Sequence, residues 1–561
     1  MNNIDRRTFL AGALGAAGAA ALGGCSSSSN NPTGAGPGSS GGAAMRTTLR
    51  LSGGDSGFPS PFAYMRGPGY IQTSFIFDTL VWKNASGQFI PWLAESFERS
   101  EDALTYTFQL REGVRWTDGK PVTAEDVAFT FEYFASQTIS PQVIIQPLPE
   151  IEEVRATGPR TVEFSLAATA APFFGLGGVG SVPIVPKHIW SSIQNAAMES
   201  DPAVLVGSGP YKLESYSRGD GSYLYTANDE FFLGKPFVSR LEFRPVSDDL
   251  NALLAGDIDA AGGSGRKEVL APFMDDKKFQ VLDAPPGNSG SGLFWNLAKG
   301  GALADVQFRR ACARAIDRED MVKRLFGGNG TPGNPGWIPA ANPFHVDVEQ
   351  YPFDRAAAEA GLDSAGYRRG ADGVRQGPDG KPLRFTMLVT NPPSKVTDLV
   401  VGALKAVGIE VTPQALDTPT FNQRVIAGDS EMSLIGFGGM NTDHAPGYLL
   451  QVYPSYTKTT QHAQGYKNPE VDRLCKAQQQ ELDEPKRMAI VGQIQKIVAE
   501  DLPLLPLVYP NSFTVYRRGA FDNYYYTAGG VGSTVPTVQN KLAFIAGNEE
   551  DLKISPLEKA S

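Results

Sequence analysis

Residues 104–134 constrain the fold of this chain more than any other part of the sequence. Their first half alternates apolar and polar side chains, which predicts a strand, and its apolar positions are Tyr106, Phe108 and Leu110. The turn signal Asp118-Gly119 follows, and Thr123 and Asp126 then have the spacing of a helix capping box. Apolar residues recur after it at helical spacing, at Val127, Phe131 and Phe134. The stretch therefore predicts strand, turns and helix in that order.

The second half of the chain also carries the pattern of an α/β body. Residues 383–390, 394–408 and 409–412 are typical of a strand, a helix and a strand. That order implies a right-handed crossover and a parallel strand pair. Residues 432–438 (MSLIGFG) are mostly apolar and predict a further buried strand.

Charge and motif content narrow the classes of function. The net charge of −10 argues against nucleic acid binding, because such proteins concentrate Lys and Arg on one face. No Gly-rich phosphate loop with its Lys occurs in the chain. The histidines lack the spacing of metal ligands, and they are His188, His345, His444 and His462. We therefore expect neither a metal nor a cofactor.

The N-terminus has the order of an export and anchoring signal. Arg6 and Arg7 form a twin-arginine pair, and the apolar run 10–22 is too short to span a membrane. Cys25 follows in the sequence Leu-Gly-Gly-Cys, which resembles a lipobox and predicts lipidation of that Cys. Residues 26–44 are rich in Ser and Gly and predict a flexible tether.

Four blocks of sequence resemble the family 5 solute-binding proteins of ABC importers, the peptide, dipeptide and nickel type. The longest block is LREGVRWTDGKPVTAEDVAFTFE at 110–132. The others are VPIVPKHIW at 182–190, GSGPY at 207–211 and DVQFRRACARAIDREDMVKRL at 305–325. The resemblance implies an α/β, two-lobed periplasmic-binding-protein fold of type II, cluster C-like, with an additional subdomain inserted in lobe I.

The same resemblance implies a division of the chain. We expect a signal, a tether, a first lobe in two parts with an inserted subdomain, and a second lobe between those parts. The expected ranges are 1–24 for the signal, 25–45 for the tether, 46–285 for the first part of lobe I, about 82–205 for the inserted subdomain, 286–505 for lobe II, and 506–561 for the return to lobe I and the C-terminal tail.

The resemblance implies that the protein binds a solute and does not change it chemically. A peptide or other oligomeric solute is enclosed between the lobes and delivered to an ABC permease and its ATPase. With Cys25 lipidated, the protein is expected on the outer side of the cell membrane, in the periplasm or on the outer face of the plasma membrane. We expect a monomer that binds no nucleic acid and is not an enzyme.

The resemblance also implies which residues bind the solute. In peptide-binding members a strand equivalent to 434–438 leads into Gly-Trp-x-x-Asp, whose Asp pairs with the peptide amine. Here Phe437 keeps an aromatic ring, whereas Met440 takes the position of the Asp. Either Asp443 replaces it, or the solute is uncharged, such as an oligosaccharide. The candidate ligand-binding residues are Arg66, Tyr70, Trp295, Asn296, Asn391, Phe437, Gly438, Met440, Asn441 and Asp443.

Two alternatives from other classes stay open at this point. An exported carbohydrate hydrolase would need paired carboxylates at a cleft, and no acidic residue stands in a recognisable catalytic motif. A solute-loaded sensor or chaperone would need no transporter. Trp295 and Phe437 are either stacking platforms or core residues. Cys312 and Cys475 are expected to be free thiols, since Cys312 lies in a predicted helix.

Overall fold

The computed structural model describes residues 47–64, 69–137, 151–175, 178–284, 289–438, 445–531, 538–546, 550 and 552–557. All of them lie in the compact unit Ala44–Ser561. The predicted signal and tether, with Cys25, fall outside the described residues. So do four of the candidate site residues, namely Arg66, Met440, Asn441 and Asp443.

The described part of the chain forms both β-strands and α-helices. The strands are β1 (Thr48–Gly53), β2 (Val81–Lys83), β3 (Phe89–Pro91), β4 (Ala94–Arg99), β5 (Thr105–Leu110), β6 (Ile151–Ala156), β7 (Thr161–Leu166), β8 (Tyr211–Ser217), β9 (Ser222–Ala227), β10 (Arg240–Pro245), β11 (Ala260–Ser264), β12 (Phe279–Asp283), β13 (Ser289–Trp295), β14 (Gly330–Pro332), β15 (Arg368–Arg369), β16 (Arg375–Gln376), β17 (Arg384–Thr390), β18 (Glu410–Leu416), β19 (Met432–Gly438), β20 (Leu504–Pro510) and β21 (Ser512–Arg517).

The α-helices are α1 (Ile71–Ser74), α2 (Ala124–Ser136), α3 (Lys187–Trp190), α4 (Asp249–Ala255), α5 (Ala271–Met274), α6 (Gly301–Ala304), α7 (Val306–Ala315), α8 (Arg318–Phe326), α9 (Arg355–Ser364), α10 (Lys395–Ala406), α11 (Thr418–Ile426), α12 (Ala445–Val452), α13 (Pro469–Gln480), α14 (Glu484–Asp501) and α15 (Leu542–Ile545). Short 3-10 turns occur at Ala196–Met198, Pro202–Val204, Lys267–Leu270 and Leu297–Lys299.

Three larger sheets organise these elements. Sheet I has seven strands in the order β12-β21-β11-β1-β10-β9-β8. Sheet II has six strands in the order β14-β20-β13-β19-β17-β18, and the inserted sheet has the order β4-β5-β7-β6. The strands β17 and β18 are parallel along their whole length, which confirms the predicted crossover pair. The predicted strand 432–438 is β19.

The stretch 104–134 folds as predicted, into β5 and α2 of the inserted subdomain. The Thr123 hydroxyl accepts a hydrogen bond from the Asp126 N–H at 3.4 Å, and the Asp126 carboxylate accepts one from the Thr123 N–H at 2.9 Å. This reciprocal capping box satisfies two amides that the helix itself leaves unpaired. The apolar face of α2 is buried, and its buried members include Val127, Phe131 and Phe134.

The GSGPY element brings the chain back to sheet I at a very close crossing. A Cβ placed on Gly207 would lie 1.9 Å from the Ile76 carbonyl oxygen, and one on Gly209 would lie 2.3 Å from that of Phe75. Only residues without a side chain fit such an approach. Between the two glycines, the Ser208 hydroxyl donates to the buried Asp78 carboxylate at 2.8 Å.

The hydrophobic clusters divide the described residues into two lobes. Three clusters contain only residues before position 285 or after position 512, and their strand residues come from sheet I, the inserted sheet and the β2–β3 pair. Two others contain only residues between Leu293 and Tyr509 and cover the two faces of sheet II. The chain crosses between sheets twice, from Asp283 to Ser289 and at Asn511. The predicted boundary at 505 falls inside β20, which pairs in sheet II.

Cys312 and Cys475 are free and buried, as predicted, and they belong to the separate clusters on either face of sheet II. Burial raises the pKa of the Cys475 thiol to about 12 and raises that of Cys312 further. Because the thiolate is the reactive form, we expect both to react with a maleimide at pH 8 at least about tenfold more slowly in the native protein than in urea. Peptide mapping after labelling checks this, and fast native labelling at either position would contradict the buried placement.

Candidate functional site

The crevice between the two sheets lies at their carboxyl edges. In sheet II the parallel strands β17, β18 and β19 end at the same edge, at Thr390, Leu416 and Gly438. The antiparallel β13 begins at that edge, where Ser289 pairs with Gly438. Ligands of open α/β sheets bind in the crevice outside the carboxyl ends of the strands.

Sheet I has its carboxyl edge at the place where the chain passes from one sheet to the other. Its parallel strands β1, β10 and β11 end at Gly53, Pro245 and Ser264. The antiparallel β21 begins at this edge, directly after Asn511, which alone separates it from β20 of sheet II. Two carboxyl edges joined by such short connections leave one interlobe cleft, and this cleft is the candidate site.

Three aromatic rings, here called the aromatic wall, pack together at the cleft end of sheet II, where all three are buried in the hydrophobic cluster on one face of that sheet. The Phe437 ring lies 4.3 Å from that of Trp337 and 6.1 Å from that of Tyr509, measured between centroids. The Tyr509 hydroxyl donates to the Trp337 carbonyl oxygen at 2.6 Å, which fixes the loop that carries Trp337. A Cβ on Gly290 would lie 2.3 Å from the Phe437 ring. Glycine at 290 therefore allows the ring to pack closely against β13.

Unpaired polar atoms accompany these rings. The indole N–H of Trp337, the Tyr453 hydroxyl and the Ser291 hydroxyl are buried and have no hydrogen-bond partner within the described ranges. The Tyr453 ring lies 6.4 Å from that of Trp337, and burial raises the pKa of Tyr453 well above its usual value. A buried donor without a partner is costly, so water or a polar solute that satisfies these atoms would be favoured.

Three predicted site residues lie at the cleft edge of sheet II, and a fourth lies in the first lobe. Phe437 and Gly438 end β19, and the exposed Asn391 follows β17 directly, where its backbone N–H donates to the Leu416 carbonyl oxygen at 2.8 Å. On the sheet I side, Tyr70 is half-buried before α1, with its ring 6.5 Å from that of Tyr64. The structure therefore places three of them at the cleft edge of sheet II and Tyr70 in the first lobe, packed against its core.

Trp295 and Asn296 lie elsewhere. β13 begins at the cleft with Ser289 and ends with Trp295, so these two lie roughly 20 Å from the cleft edge along the strand. Trp295 is fully buried in the core between sheet II and its helices. The Asn296 amide donates to the Gly428 and Ser430 carbonyl oxygens at 3.0 and 2.8 Å. Sequence placed Asn296 beside the cleft, and the direction of β13 puts it at the opposite end.

Sequence reasoning missed Trp337, Tyr509 and Gly290. Trp337 stands in the stretch 331–343, which is rich in Gly, Pro and Asn and is typical of a loop. A lone Trp in such a loop is a signal for a functional contact, and the structure gives it a left-handed φ of 75°. Tyr509 and Gly290 lack any local signal, because their role depends on strand pairing.

The described residues contain neither a cluster of metal ligands nor a helix fit to span a membrane. No group of three His, Cys, Asp or Glu side chains in this part of the chain is placed to hold a metal ion. His188 is instead 2.8 Å from the Asp118 carboxylate, and burial lowers the pKa of His462. Within the same ranges, no helix has the combination of length and apolar character needed to cross a bilayer.

Relatives of known structure share this architecture. The chain superposes on NikZ from Campylobacter jejuni, solved with Ni(L-His), with a TM-score of 0.74 at 22% identity, over 89% of this chain and 99% of that one. A mannohexaose-bound oligopeptide-binding protein from Thermotoga maritima gives 0.73 at 24% identity, over 91% and 99%. These likenesses confirm the predicted two-lobed fold.

Sequence comparison gives the family. The oligopeptide-binding protein AppA of Bacillus subtilis is 27% identical over 438 residues, which cover 75% of this chain and 78% of that protein. The sequence profile described as "Bacterial extracellular solute-binding proteins, family 5 Middle" matches residues 88–459, more than half of the chain. The resemblance seen in the sequence is thereby confirmed, and the chain belongs to the bacterial extracellular solute-binding proteins of family 5.

Proposed function

We propose that this protein is the solute-binding component of an ABC importer, which captures a peptide or other oligomeric solute in the interlobe cleft. The observation that carries the proposal is the cleft itself, where two carboxyl edges face each other across two short crossings. Because each lobe has its own hydrophobic clusters, the lobes are able to move as bodies about the crossings. A solute that contacts both lobes favours the closed form by its differential affinity for that form.

Peptide is the solute class that the relatives favour. The Bacillus subtilis relative is named an oligopeptide-binding protein, and its structure was solved with a nonapeptide. A second candidate is an oligosaccharide, since the Thermotoga maritima neighbour holds mannohexaose. In this chain, the aromatic wall of Phe437, Trp337 and Tyr509 and Met440 in place of an acidic residue favour that second candidate.

The remaining parts of the proposal concern location and partners. Residues 1–24 direct export, Cys25 carries a lipid anchor, and the tether 25–45 holds the two lobes near the membrane. The lobes separate between β12 and β13 and at Asn511, because β12 and β21 pair in sheet I whereas β13 and β20 pair in sheet II. A monomer delivers the solute, chemically unchanged, to a permease and its ATPase.

A thermal-shift panel tests the proposal. Short peptides, manno-oligosaccharides and nickel chelates are added separately to the purified protein. A ligand at 100 times its dissociation constant adds about 2.7 kcal/mol to the free energy of unfolding. We expect peptides of several residues to raise the melting temperature most. A rise with the saccharides alone would support the second candidate, and no rise with any of the three classes would contradict solute capture.

A further inference from the structure

The two lobes touch at a second place, away from the crossings. The Thr169 hydroxyl donates to the Gln480 carbonyl oxygen at 2.6 Å, and the Ala171 N–H donates to the Gln479 carbonyl oxygen at 2.7 Å. Thr169 and Ala171 follow β7 in the first lobe, whereas Gln479 and Gln480 end α13 in the second lobe. The bonds exist only while the lobes are close together.

The position of this contact relative to the hinge determines how far its two sides separate when the lobes open. The crossings leave sheet I from β12 and β21, at one edge of that sheet. The inserted subdomain rejoins sheet I through Gly207 and Gly209, directly before β8, which is the opposite edge. A contact made by the inserted subdomain therefore lies across the cleft from the hinge, where opening separates the lobes furthest.

The acceptors are groups that a helix leaves unpaired. The last four carbonyls of an α-helix have no partner within it, and Gln479 and Gln480 are the last two residues of α13. In the closed form the first lobe supplies their donors. In an open form water replaces those donors, so the contact favours closure by the net worth of two hydrogen bonds.

The donors in the first lobe are held rigidly. Phe173, two residues after Ala171, is buried, and its ring lies 4.2 Å from that of Tyr106 in the inserted sheet. Gly178 approaches the backbone of Phe173 closely, because a Cβ on Gly178 would lie 1.8 Å from the Phe173 carbonyl oxygen. The segment 169–171 therefore keeps its position relative to the inserted sheet whether or not α13 is near.

The acceptors in the second lobe are connected to the cleft. Gln478 is fully buried, and its amide N–H donates to the Pro446 carbonyl oxygen at 3.1 Å. Pro446 lies in the first turn of α12, the next described element after β19, whose end forms the cleft edge. The Gln478 side-chain oxygen accepts from the Arg487 Nε at 3.2 Å. Gln478 thus fixes the end of α13 to α12 and α14.

We propose that Thr169, Ala171, Gln479 and Gln480 form a latch that stabilises the closed form, and that Gln478 sets the position of the latch from the cleft side. The proposal rests on solute capture as the function and adds a device that regulates closure. The closed form is thereby populated before any solute arrives, and a solute that shifts α12 changes how well the latch fits.

Interlobe distances in the solute-free protein test the latch. Spin labels are attached through Met198→Cys in the first lobe and Phe353→Cys in the second, two exposed positions. Cys312 and Cys475 are buried and do not interfere. The Thr169→Val change removes one donor at nearly constant volume, and we expect the ratio of closed to open distances to fall about two- to tenfold. Thr169→Ser keeps the hydroxyl and leaves the ratio near that of the unaltered latch.

Thr157→Val is the matched control, because Thr157 is exposed in the β6–β7 turn, where its hydroxyl donates to the Thr161 carbonyl oxygen within the same lobe. It leaves the ratio unchanged. Gln478→Met removes both bonds of that side chain and lowers the ratio by a similar factor.

Three results would overturn the latch: no closed population without solute, an equal ratio for Thr169→Val and Thr157→Val, or a Gln478→Met ratio like that of the unaltered chain. The surface variant Thr169→Val keeps the test valid if Gln478→Met fails to fold. Since no solute is added, failure of the latch is distinct from failure of solute capture.

Discussion

Replacing Lys541 by Met is expected to lower the free energy of unfolding of the first lobe by about 3–5 kcal/mol. The Lys541 ammonium lies 2.6 Å from the Asp78 carboxylate, and both side chains are fully buried. Removal of the cation leaves the carboxylate in a low-dielectric interior without a counter-charge. That penalty exceeds the value of a surface ion pair several-fold.

The surroundings of the pair explain why it is kept. Asp78 also accepts from the Trp92 indole N–H at 2.7 Å and from the Ser208 hydroxyl at 2.8 Å. The Lys541 ammonium lies 4.0 Å from the centre of the Trp82 ring, and burial lowers the pKa of Lys541. The pair therefore joins the C-terminal segment to the close crossing of Gly207 and to the start of the inserted subdomain.

Urea unfolding measures this effect, with Lys235→Met as the matched control. Lys235 pairs with Asp229 at 3.0 Å on the exposed surface of the same lobe, and its loss is expected to change the free energy of unfolding by no more than about 0.5 kcal/mol. The double variant Asp78→Asn with Lys541→Met is expected to lose less than the sum of the single variants. Equal small losses for Lys541→Met and Lys235→Met would contradict the account of the buried pair.

Replacing Phe437 by Ala is expected to lower the free energy of unfolding of the second lobe by about 3–5 kcal/mol and to weaken solute binding. The ring fills the space between Trp337, Tyr509 and the bare backbone of Gly290. Its removal leaves a cavity, and it also takes away the part of the aromatic wall nearest the cleft edge.

Phe353→Ala is the control for the loss of a phenyl ring, because Phe353 is 45% exposed in the same lobe. We expect a change of no more than about 0.5 kcal/mol for it. Phe437→Leu keeps most of the volume and is expected to recover most of the stability but not the stacking surface. The free energy of unfolding and the dissociation constant of a solute found in the thermal-shift panel check both parts. An unchanged dissociation constant for Phe437→Ala would remove this ring from the binding surface.

Many helices and strands can be predicted from patterns within short stretches of the sequence. The capping box of Thr123 and Asp126 and the strand β19 follow from patterns within a few residues, and the structure confirms them. Glycine permits close backbone approach, and Gly207 of the GSGPY element makes one. Each of these predictions depends on a residue and its neighbours in the chain.

Features that depend on pairing over long distances could not be predicted in the same way. Trp337, Phe437 and Tyr509 meet only because β13, β19 and β20 are neighbours in sheet II. The position of Asn296 depends on the direction of β13, which no local pattern fixes. Likewise, an apolar strand such as β20 does not indicate in its sequence which of two sheets it joins.

Small-angle X-ray scattering of the purified protein, with and without a saturating solute from the panel, tests the central claim most directly. The account predicts that the radius of gyration falls when solute binds, because the two lobes close about the crossings between β12 and β13 and at Asn511. A bound solute that leaves the radius of gyration unchanged would contradict capture by closure of the interlobe cleft.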